Sequence, residues 1–361
     1  MEVHTVTRDG ESLVILLDNQ MRPVKAVNEF LRFQYGKDRA LNTLIANASD
    51  LKSFWCFLEE RSLNYDEITP NMILDFVDFL RRGNDSEKII ALHKESARTN
   101  TTINRILSTV HSFYQYHAYM SDIENPILME NVKRPFNMFK SILHHAKRDN
   151  MTKQSIFKVK ESPRQFKLVT DDEMSVILNA LDKQRDRLLY KFLYLTGARI
   201  QEALDLEIES IPVPDMTQPI AVFQDIKSKG KYRDLYVPMS LVKELDDFVM
   251  TERQSCGEVC EYIFVDENKH NKGKQLTYSA AYKKLLRLRN ETGIYFNFHD
   301  LRHTFCSNLA ASGLDSSVIK IIMGHEHLST TQKYTHLSDA FIEESLERYW
   351  DKSIMIGGVG V

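Results

Sequence analysis

Several side chains capable of phosphate chemistry lie close together near the end of the chain. His299 and Arg302 stand three residues apart in the segment HDLRHT, His325 follows Gly324, and Tyr334 ends the segment TTQKY. An arginine can bind phosphate oxygens, a histidine can carry a proton near neutral pH, and a tyrosine hydroxyl can act as a nucleophile. Together these residue types have the properties needed to break a phosphodiester bond.

The spacing indicates how these side chains could meet. Tyr334 lies nine residues after His325, which leaves room for a turn between two helices. The segment Asp315–Met323 has apolar residues at helical spacing, and Gly324 stands where a C-terminal cap belongs. Residues 329–331, Ser-Thr-Thr, are typical of the start of a following helix. We therefore predict that Tyr334 lies in the first turn or so of a short helix.

Four separated motifs match, in order and spacing, those of a known family. They are TGARIQEAL around Arg199, the HxxR pair His299 and Arg302, Gly324-His325, and TTxxY ending at Tyr334. With these motifs the chain resembles the tyrosine recombinase (phage integrase) family from about Lys167 to Trp350, and an ordered set is far more specific than one short pattern. Length and layout are also similar to the transposase A subgroup of transposon-encoded recombinases.

The resemblance implies a role for each polar residue of these motifs. Arg199 and Arg302 would bind the scissile phosphate, because a guanidinium group can hold two oxygens at once. His299 would act as general base or orient the phosphate, and His325 would donate to a nonbridging oxygen. Glu202, three residues after Arg199, is expected to orient that arginine.

Tyr334 is the nucleophile that the resemblance implies. Its hydroxyl would attack the scissile phosphorus to form a 3′-phosphotyrosine and release a free 5′ hydroxyl. The covalent link conserves the energy of the broken bond, so we expect no ATP, no metal and no other cofactor in the chemistry.

The general acid is placed less tightly by the sequence. Family members carry a catalytic lysine in a β-hairpin turn, and the basic run KSKGKYRD, residues 227–234, lies between strand-like segments. Lys229 is the best match and would protonate the departing 5′ oxygen. Lys227 and Lys231 stay open as alternatives, because the run from the lysine to Val237-Pro238 is longer than in the common pattern.

Charge distribution favours a DNA partner more than net charge does. The formal net charge of the 361 residues is −3, but residues 133–167 hold ten basic and two acidic side chains, a local net of +8 against −11 elsewhere. Affinity for the phosphate backbone comes largely from Lys and Arg. A basic connector that tracks a duplex is one interpretation, and a plain solvated loop is the other.

Periodicity predicts two domains and a mainly α fold with a small antiparallel sheet. The N-terminal domain would have helices near 24–35, 41–60, 70–82 and 99–120, after a short strand or hairpin near 12–17, and the resemblance implies that it is a helical core-binding domain. The C-terminal α+β domain would combine helices with β signals near 220–224, 234–237 and 262–264, and the resemblance implies that it is the catalytic domain. The predicted boundaries are an extension 1–20, a core-binding domain 21–132, a basic linker 133–167, a catalytic domain 168–350 and an apolar tail 351–361. Polar residues around Arg98–Arg105 would either face DNA or form an ordinary exposed helix face.

Other protein classes are disfavoured by composition. Four cysteines in 361 residues are too few for a disulfide framework, and Cys256, Cys260 and His270 lack the further ligands of a convincing zinc site. Neither an apolar run of about 20 residues nor a secretory leader is evident, so no membrane partner is expected. We expect a cytoplasmic bacterial protein that acts at the chromosome.

Three functions fit these patterns. The leading hypothesis is a site-specific recombinase or transposase that acts as a tetramer on double-stranded DNA, at element ends and target site, through a Holliday junction. It would integrate or excise a mobile element, with or without a companion recombinase or accessory proteins. A type IB topoisomerase shares the tyrosine chemistry but works as a monomer, so the helical domain and an amphipathic segment at 338–350, suited to docking, favour recombination. A DNA-binding factor with a relic active site is disfavoured, because every catalytic residue type is present.

Overall fold

The fold is taken from a computed structural model. The residues that the structure describes are 1–8, 11–82, 98–133, 151–161, 166–215, 217–228, 231–256, 260–268, 270–324, 346 and 349–350. The chain divides into two compact units, Met1–Pro163 and Arg164–Val361. Each unit is described by itself.

The first unit contains an N-terminal hairpin, four helices and a second strand pair. Its elements are β1 (Glu2–Arg8), β2 (Glu11–Leu17), α1 (Lys25–Tyr35), α2 (Leu41–Arg61), α3 (Pro70–Arg82), α4 (Asn100–Met120), β3 (Met129–Lys133) and β4 (Met151–Ser155). Both pairs are antiparallel, with Glu2 opposite Leu17 and Met129 opposite Ser155. The four predicted helices agree with α1 to α4 within one residue at each end, and the predicted strand near 12–17 is one half of the first hairpin.

Local signals explain where these helices begin. The Thr99 hydroxyl accepts a hydrogen bond from the backbone N–H of Thr102 and so caps α4. Helix α3 begins at Pro70, which suits the first helical position because its ring fixes φ and it has no N–H to leave unsatisfied. Side chains three and four residues apart on each helix then point inward together.

The core of the first unit is rich in aromatic rings. Phe54, fully buried on α2, has its ring centroid 5.0 Å from that of Phe76 on α3 and 5.9 Å from that of Tyr114 on α4. Phe30 on α1 meets Phe113 edge to face at 5.8 Å. Such ring pairs add to the free energy of burial and require a definite geometry. The four helices are therefore joined through one continuous cluster.

The β3–β4 pair lies at the border of the stretch predicted as a linker. Beyond β4, the side-chain amide of Asn104 on α4 donates to the Val159 carbonyl oxygen at 2.8 Å and accepts from the Val159 N–H at 2.8 Å. Residues 151–161 thus belong to the first unit, whose boundary falls at Pro163. Residues 134–150 lie outside the described residues, and the role of a DNA-tracking linker stays a prediction.

The second unit combines seven helices with one β-hairpin among its described residues. They are α5 (Asp171–Asn179), α6 (Gln184–Thr196), α7 (Ile200–Leu204), β5 (Ile220–Ser228), β6 (Lys231–Pro238), α8 (Met239–Met250), α9 (Tyr278–Thr292), α10 (Phe298–Ala311) and α11 (Ser316–Met323). Strands β5 and β6 pair antiparallel with a register shift between Phe223 and Ile226. The core lies between α6 and the elements packed on it, the hairpin, α8 and α10. The predicted fold class is confirmed.

One strand prediction is wrong. The segment 262–264 forms only an isolated antiparallel bridge between Tyr262 and Glu207, and Val265 forms another with Gln275. Ile263, Phe264 and Val265 are fully buried, so their apolar character reflects core packing, not strand pairing. A short buried run does not by itself distinguish these cases.

No helix among the described residues is long and apolar enough to cross a membrane.

Replacing Phe54 by alanine is expected to destabilise the first unit by about 3–5 kcal/mol, because it removes a fully buried ring and leaves a cavity. Hydrogen exchange of the amides in α2 and α3 in the full chain measures the change in opening free energy. Tyr119→Ala is the matched control, since Tyr119 is 79% exposed. Equal exchange in the two variants would contradict the assigned packing.

Candidate active site

A left-handed glycine leads into the site. Helix α6 ends at Thr196, and Gly197 adopts φ +59°, a conformation that side chains disfavour. A Cβ atom on Gly197 would clash with Cδ1 of Phe305 on α10. This turn places Arg199 directly before α7, where it is the N-cap residue.

Arg199 is held by a buried carboxylate. Its Nη1 donates to Oε1 of Glu202 at 2.6 Å, and its backbone N–H donates to Oε2 of the same side chain at 2.8 Å. Glu202 is 2% exposed, whereas a quarter of the Arg199 side chain reaches solvent. The predicted contact between Glu202 and Arg199 is therefore present, and it leaves Arg199 accessible from outside.

Arg302 joins two helix ends. From α10 its Nη1 donates to the Gly197 carbonyl oxygen at 2.6 Å, and its Nη2 donates to the Met323 carbonyl oxygen. Burial and the neighbouring cations Arg233 and Arg199 lower the pKa of Arg302 to about 9. Arg302 therefore stays protonated at neutral pH. The structure brings it close to Arg199, the other arginine predicted to bind phosphate.

A third arginine completes this cluster. Arg233 on β6 donates from Nη2 to Oε2 of Glu202 at 2.5 Å and from Nη1 to the Ile322 carbonyl oxygen at 2.8 Å. The sequence places Arg233 only within a basic hairpin, since spacing does not distinguish it from its basic neighbours. Arg233 is distinguished by its buried hydrogen-bond partners, and these cannot be read from the sequence.

His299 lies in the first turn of α10, three residues before Arg302 and therefore on nearly the same face. It is exposed, and its ring centroid is 4.6 Å from that of His303. The neighbouring Asp300 has a structural role, because its carboxylate accepts from the Asn297 N–H at 2.8 Å and caps the helix. His299 thus lies at the surface, one helical turn from the buried arginine.

Lys229, His325 and Tyr334 lie outside the described residues, and their roles stay predictions. Lys229 falls between the ends of β5 and β6, and His325 follows Gly324 directly. Gly324 ends α11 in a left-handed conformation, φ +58°. The described residues therefore extend to Ser228 and Gly324, the neighbours in sequence of Lys229 and His325.

The last described residues pack on their own unit. Leu346, Tyr349 and Trp350 are buried in a cluster with residues of α10 and α11. The indole N–H of Trp350 donates to the Leu195 carbonyl oxygen at 3.2 Å, and the Tyr349 ring lies 5.7 Å from that of Phe305. These three side chains therefore pack within their own unit.

The first unit has a second cationic surface, on α2 and the start of α4. Arg98 donates to the Ser53 hydroxyl at 3.0 Å, and Arg105 pairs with Asp50 at 2.6 Å. Asp50 is buried, and burial raises the pKa of its carboxyl. Arg105 remains half exposed above it. Lys52, Arg98 and Arg105 line one open cleft, which we call the α2–α4 face.

Within the described residues no group of three or more His, Cys, Asp or Glu side chains is arranged to hold a metal ion. The arginines around Glu202 and the cations of the α2–α4 face could each bind an anion. In both of them arginines are fixed by carboxylates or carbonyl oxygens before any ligand is present.

Two family models match this chain, one in each unit. The model of the phage integrase family matches residues 167–340, and the model of the phage integrase N-terminal SAM-like domain matches residues 27–119. The chain therefore belongs to the phage integrase family of tyrosine recombinases, enzymes that cleave and rejoin DNA.

Similar proteins extend over nearly the whole chain. Transposase A from transposon Tn554 of Staphylococcus aureus is 28% identical over 346 residues, covering 94% of this chain and 95% of the transposase. Tyrosine recombinase XerA of Pyrococcus horikoshii is 23% identical over 318 residues, covering 87% and 98%. Both similarities thus extend into both units of this chain.

Solved structures establish the fold. The XerH site-specific recombinase bound to a palindromic difH substrate is similar with a TM-score of 0.55 at 19% identity, covering 86% of this chain and 80% of that one. The Tn1549 transposon integrase in complex with transposon right end DNA gives 0.57 at 14% identity, covering 89% and 98%.

Replacing Gly197 by alanine is expected to destabilise the second unit by about 2–5 kcal/mol, the sum of a left-handed backbone penalty and a clash with Phe305. Gly293→Ala is the matched control, because Gly293 also has positive φ, +71°, but nothing lies within 4 Å of its added Cβ. Urea denaturation of both variants measures the difference. If Gly293→Ala costs as much as Gly197→Ala, the close approach to Phe305 is not what requires glycine.

Proposed function

We propose that the protein is a site-specific recombinase, the transposase of a mobile element, that integrates or excises DNA through a 3′-phosphotyrosine intermediate and a Holliday junction. The observation that carries the proposal is that Arg199 and Arg302 lie close together although they are about 100 residues apart in sequence. Arg302 donates to the carbonyl oxygen of Gly197, two residues before Arg199, and Arg199 is paired with Glu202. Two fixed guanidinium groups suit the doubly charged transition state of phosphoryl transfer.

In this mechanism the two arginines bind the nonbridging oxygens of the scissile phosphate. The hydroxyl of Tyr334 attacks phosphorus and loses its proton to a base, for which His299 is the candidate. The P–O5′ bond breaks as the P–O bond to tyrosine forms, and Lys229 protonates the departing 5′ oxygen. His325 donates to a nonbridging oxygen. In the reverse direction a 5′ hydroxyl from a partner strand attacks the phosphotyrosine and restores the phosphodiester.

Assembly and substrate are part of the same proposal. Exchange of strands between two duplexes needs four active sites, so we propose a tetramer on double-stranded DNA, with companion or accessory proteins of the same element as further partners. The full-length similarity to transposase A supports the mobile-element role. Such a protein would act on the chromosome in the cytoplasm of a bacterium.

Covalent attachment tests the chemistry. A duplex from the end of the element that encodes the chain, nicked just 3′ of the cleavage site, loses its short 5′-hydroxyl strand after cleavage and traps the intermediate. The wild type is expected to form an adduct that survives denaturing gels, and Tyr334→Phe is expected to form none, because the attacking hydroxyl is absent.

Tyr119→Phe is the control, since it removes an exposed hydroxyl from a different unit. An adduct formed by Tyr334→Phe would sink the assignment of the nucleophile. Two intact duplexes carrying the same site distinguish recombination from simple relaxation, because only recombination yields joined products of new length.

The α2–α4 face is expected to bind phosphates of the DNA backbone. The double variant Lys52→Ala and Arg98→Ala should weaken DNA binding and reduce the slope of log affinity against log salt by about 0.9 for each phosphate that is no longer neutralised. The variant leaves the buried Asp50 paired with Arg105. Fluorescence anisotropy between about 50 and about 200 mM salt, where such slopes are resolved, measures the change.

Lys25→Ala serves as the control for that experiment. Lys25 is a highly exposed cation on α1 that does not line the α2–α4 face. A salt slope reduced equally in both variants would show that net charge alone matters, and an unchanged slope in the double variant would remove this face from the DNA interface.

A further inference from the structure

Arg233 connects three elements of the second unit. From β6 it donates to Glu202 on α7 and to the Ile322 carbonyl oxygen at the end of α11, 2.5 and 2.8 Å away. The partners are 31 and 89 residues away in sequence. A planar guanidinium group can serve two acceptors in fixed directions, which the single ammonium of lysine does less rigidly.

The end of α11 needs such partners. The last carbonyl groups of a helix have no N–H partner within the helix and require donors from elsewhere. Arg233 satisfies Ile322, and Arg302 satisfies Met323, the residue just before Gly324. Two arginines thus fix the last turn of α11 immediately ahead of His325 in sequence.

The fit around Arg233 leaves little room for movement. Gly324 adopts φ +58°, and a Cβ atom there would lie 2.6 Å from Cδ of Arg233. The Arg233 side chain is only 9% exposed. Both of its terminal nitrogens already have acceptors within the unit, Nη1 in Ile322 and Nη2 in Glu202.

Glu202 depends on both of its arginines. Its Oε1 accepts from Nη1 of Arg199. Its Oε2 accepts both from the backbone N–H of Arg199 and from Nη2 of Arg233. A buried carboxylate that loses one cationic partner is strongly destabilised and tends to reorient. Loss of Arg233 would therefore be transmitted to Arg199 through Glu202.

We propose that Arg233 is a positioning residue of the strand-transfer site, which keeps Arg199 and the end of α11 in one register through Glu202 and Ile322. The proposal rests on the proposed function, because its effect is expressed in the cleavage of DNA. It assigns to the β5–β6 hairpin a second task besides carrying the candidate lysine.

The rate of covalent attachment to the nicked duplex tests this role in the full-length protein. Arg233→Met is expected to cut the single-turnover rate about 100-fold, the effect of a displacement of roughly 1 Å in a catalytic group. DNA affinity measured at equilibrium is expected to stay within about threefold, because the variant retains both arginines proposed to bind the phosphate, Arg199 and Arg302.

Arg187→Met is the matched control. Arg187 is a partly buried arginine of the same unit that donates to a backbone carbonyl oxygen, that of Leu181 at 2.6 Å, outside the arginine cluster. The single-turnover rate of covalent attachment by Arg187→Met should match that of the wild type. If Arg233→Met attaches DNA as fast as Arg187→Met, the proposal is overturned.

A charge-neutral substrate separates positioning from a general loss of structure. A methylphosphonate at the scissile position replaces one charged nonbridging oxygen by methyl and so lessens the need for an arginine clamp. The ratio of wild-type to Arg233→Met rates should shrink from about 100 to below about 5 on this substrate. An equally large ratio on both substrates would indicate a merely structural residue and contradict the proposal.

Arg233→Lys keeps the test decisive if the methionine variant unfolds. Lysine retains a cation beside Glu202 but does not reach both acceptors, so an intermediate loss of about tenfold is expected, again reduced on the methylphosphonate. Wild-type protein that forms no adduct would refute the proposed function together with this inference. Wild-type protein that forms the adduct at the same rate as both Arg233 variants would refute this inference alone.

Discussion

The site depends on the hydrogen bonds and ion pairs of one buried carboxylate, that of Glu202. A carboxylate is costly to remove from water unless cations and donors surround it, and here two guanidinium groups and a backbone N–H do so. Those donors come from the start of α7 and from β6. The contacts that neutralise the carboxylate of Glu202 therefore also hold these two elements together. Arg199 reaches the surface already oriented, which is the condition for stabilising charge that develops only in a transition state.

Helix ends supply the other anchors. The left-handed residues Gly197 and Gly324 end α6 and α11, and the nearby carbonyl groups of Gly197, Ile322 and Met323 accept from Arg302 and Arg233. Arginines that would repel one another in isolation are thus held together by partial negative charge from backbone carbonyls. The lowered pKa of Arg302 reflects its burial and the proximity of the other two cations.

The first unit uses a similar arrangement at its α2–α4 face. Asp50 is buried on α2 and holds Arg105, which remains half exposed on α4. Thr109 donates to the same carboxylate oxygen at 2.8 Å. In both units a buried acidic residue positions an arginine that faces outward, so that less side-chain entropy is lost when an anion is bound.

The sequence by itself determined the four helices of the first unit, helix α11 and the hairpin of the second unit, the family, and the residue types of the candidate site. Helical periodicity, caps such as Thr99, and motif spacing act over a few residues and are visible in the chain. Only the tertiary structure decided the contacts of Arg233, the burial of 263–265 without strand pairing, and the packing of Trp350 on its own unit. Each of these depends on contacts between residues far apart in sequence, such as the 89 residues between Arg233 and Ile322 or the 155 between Trp350 and Leu195. Local patterns carry no record of such partners, because burial and hydrogen bonding are properties of the assembled core.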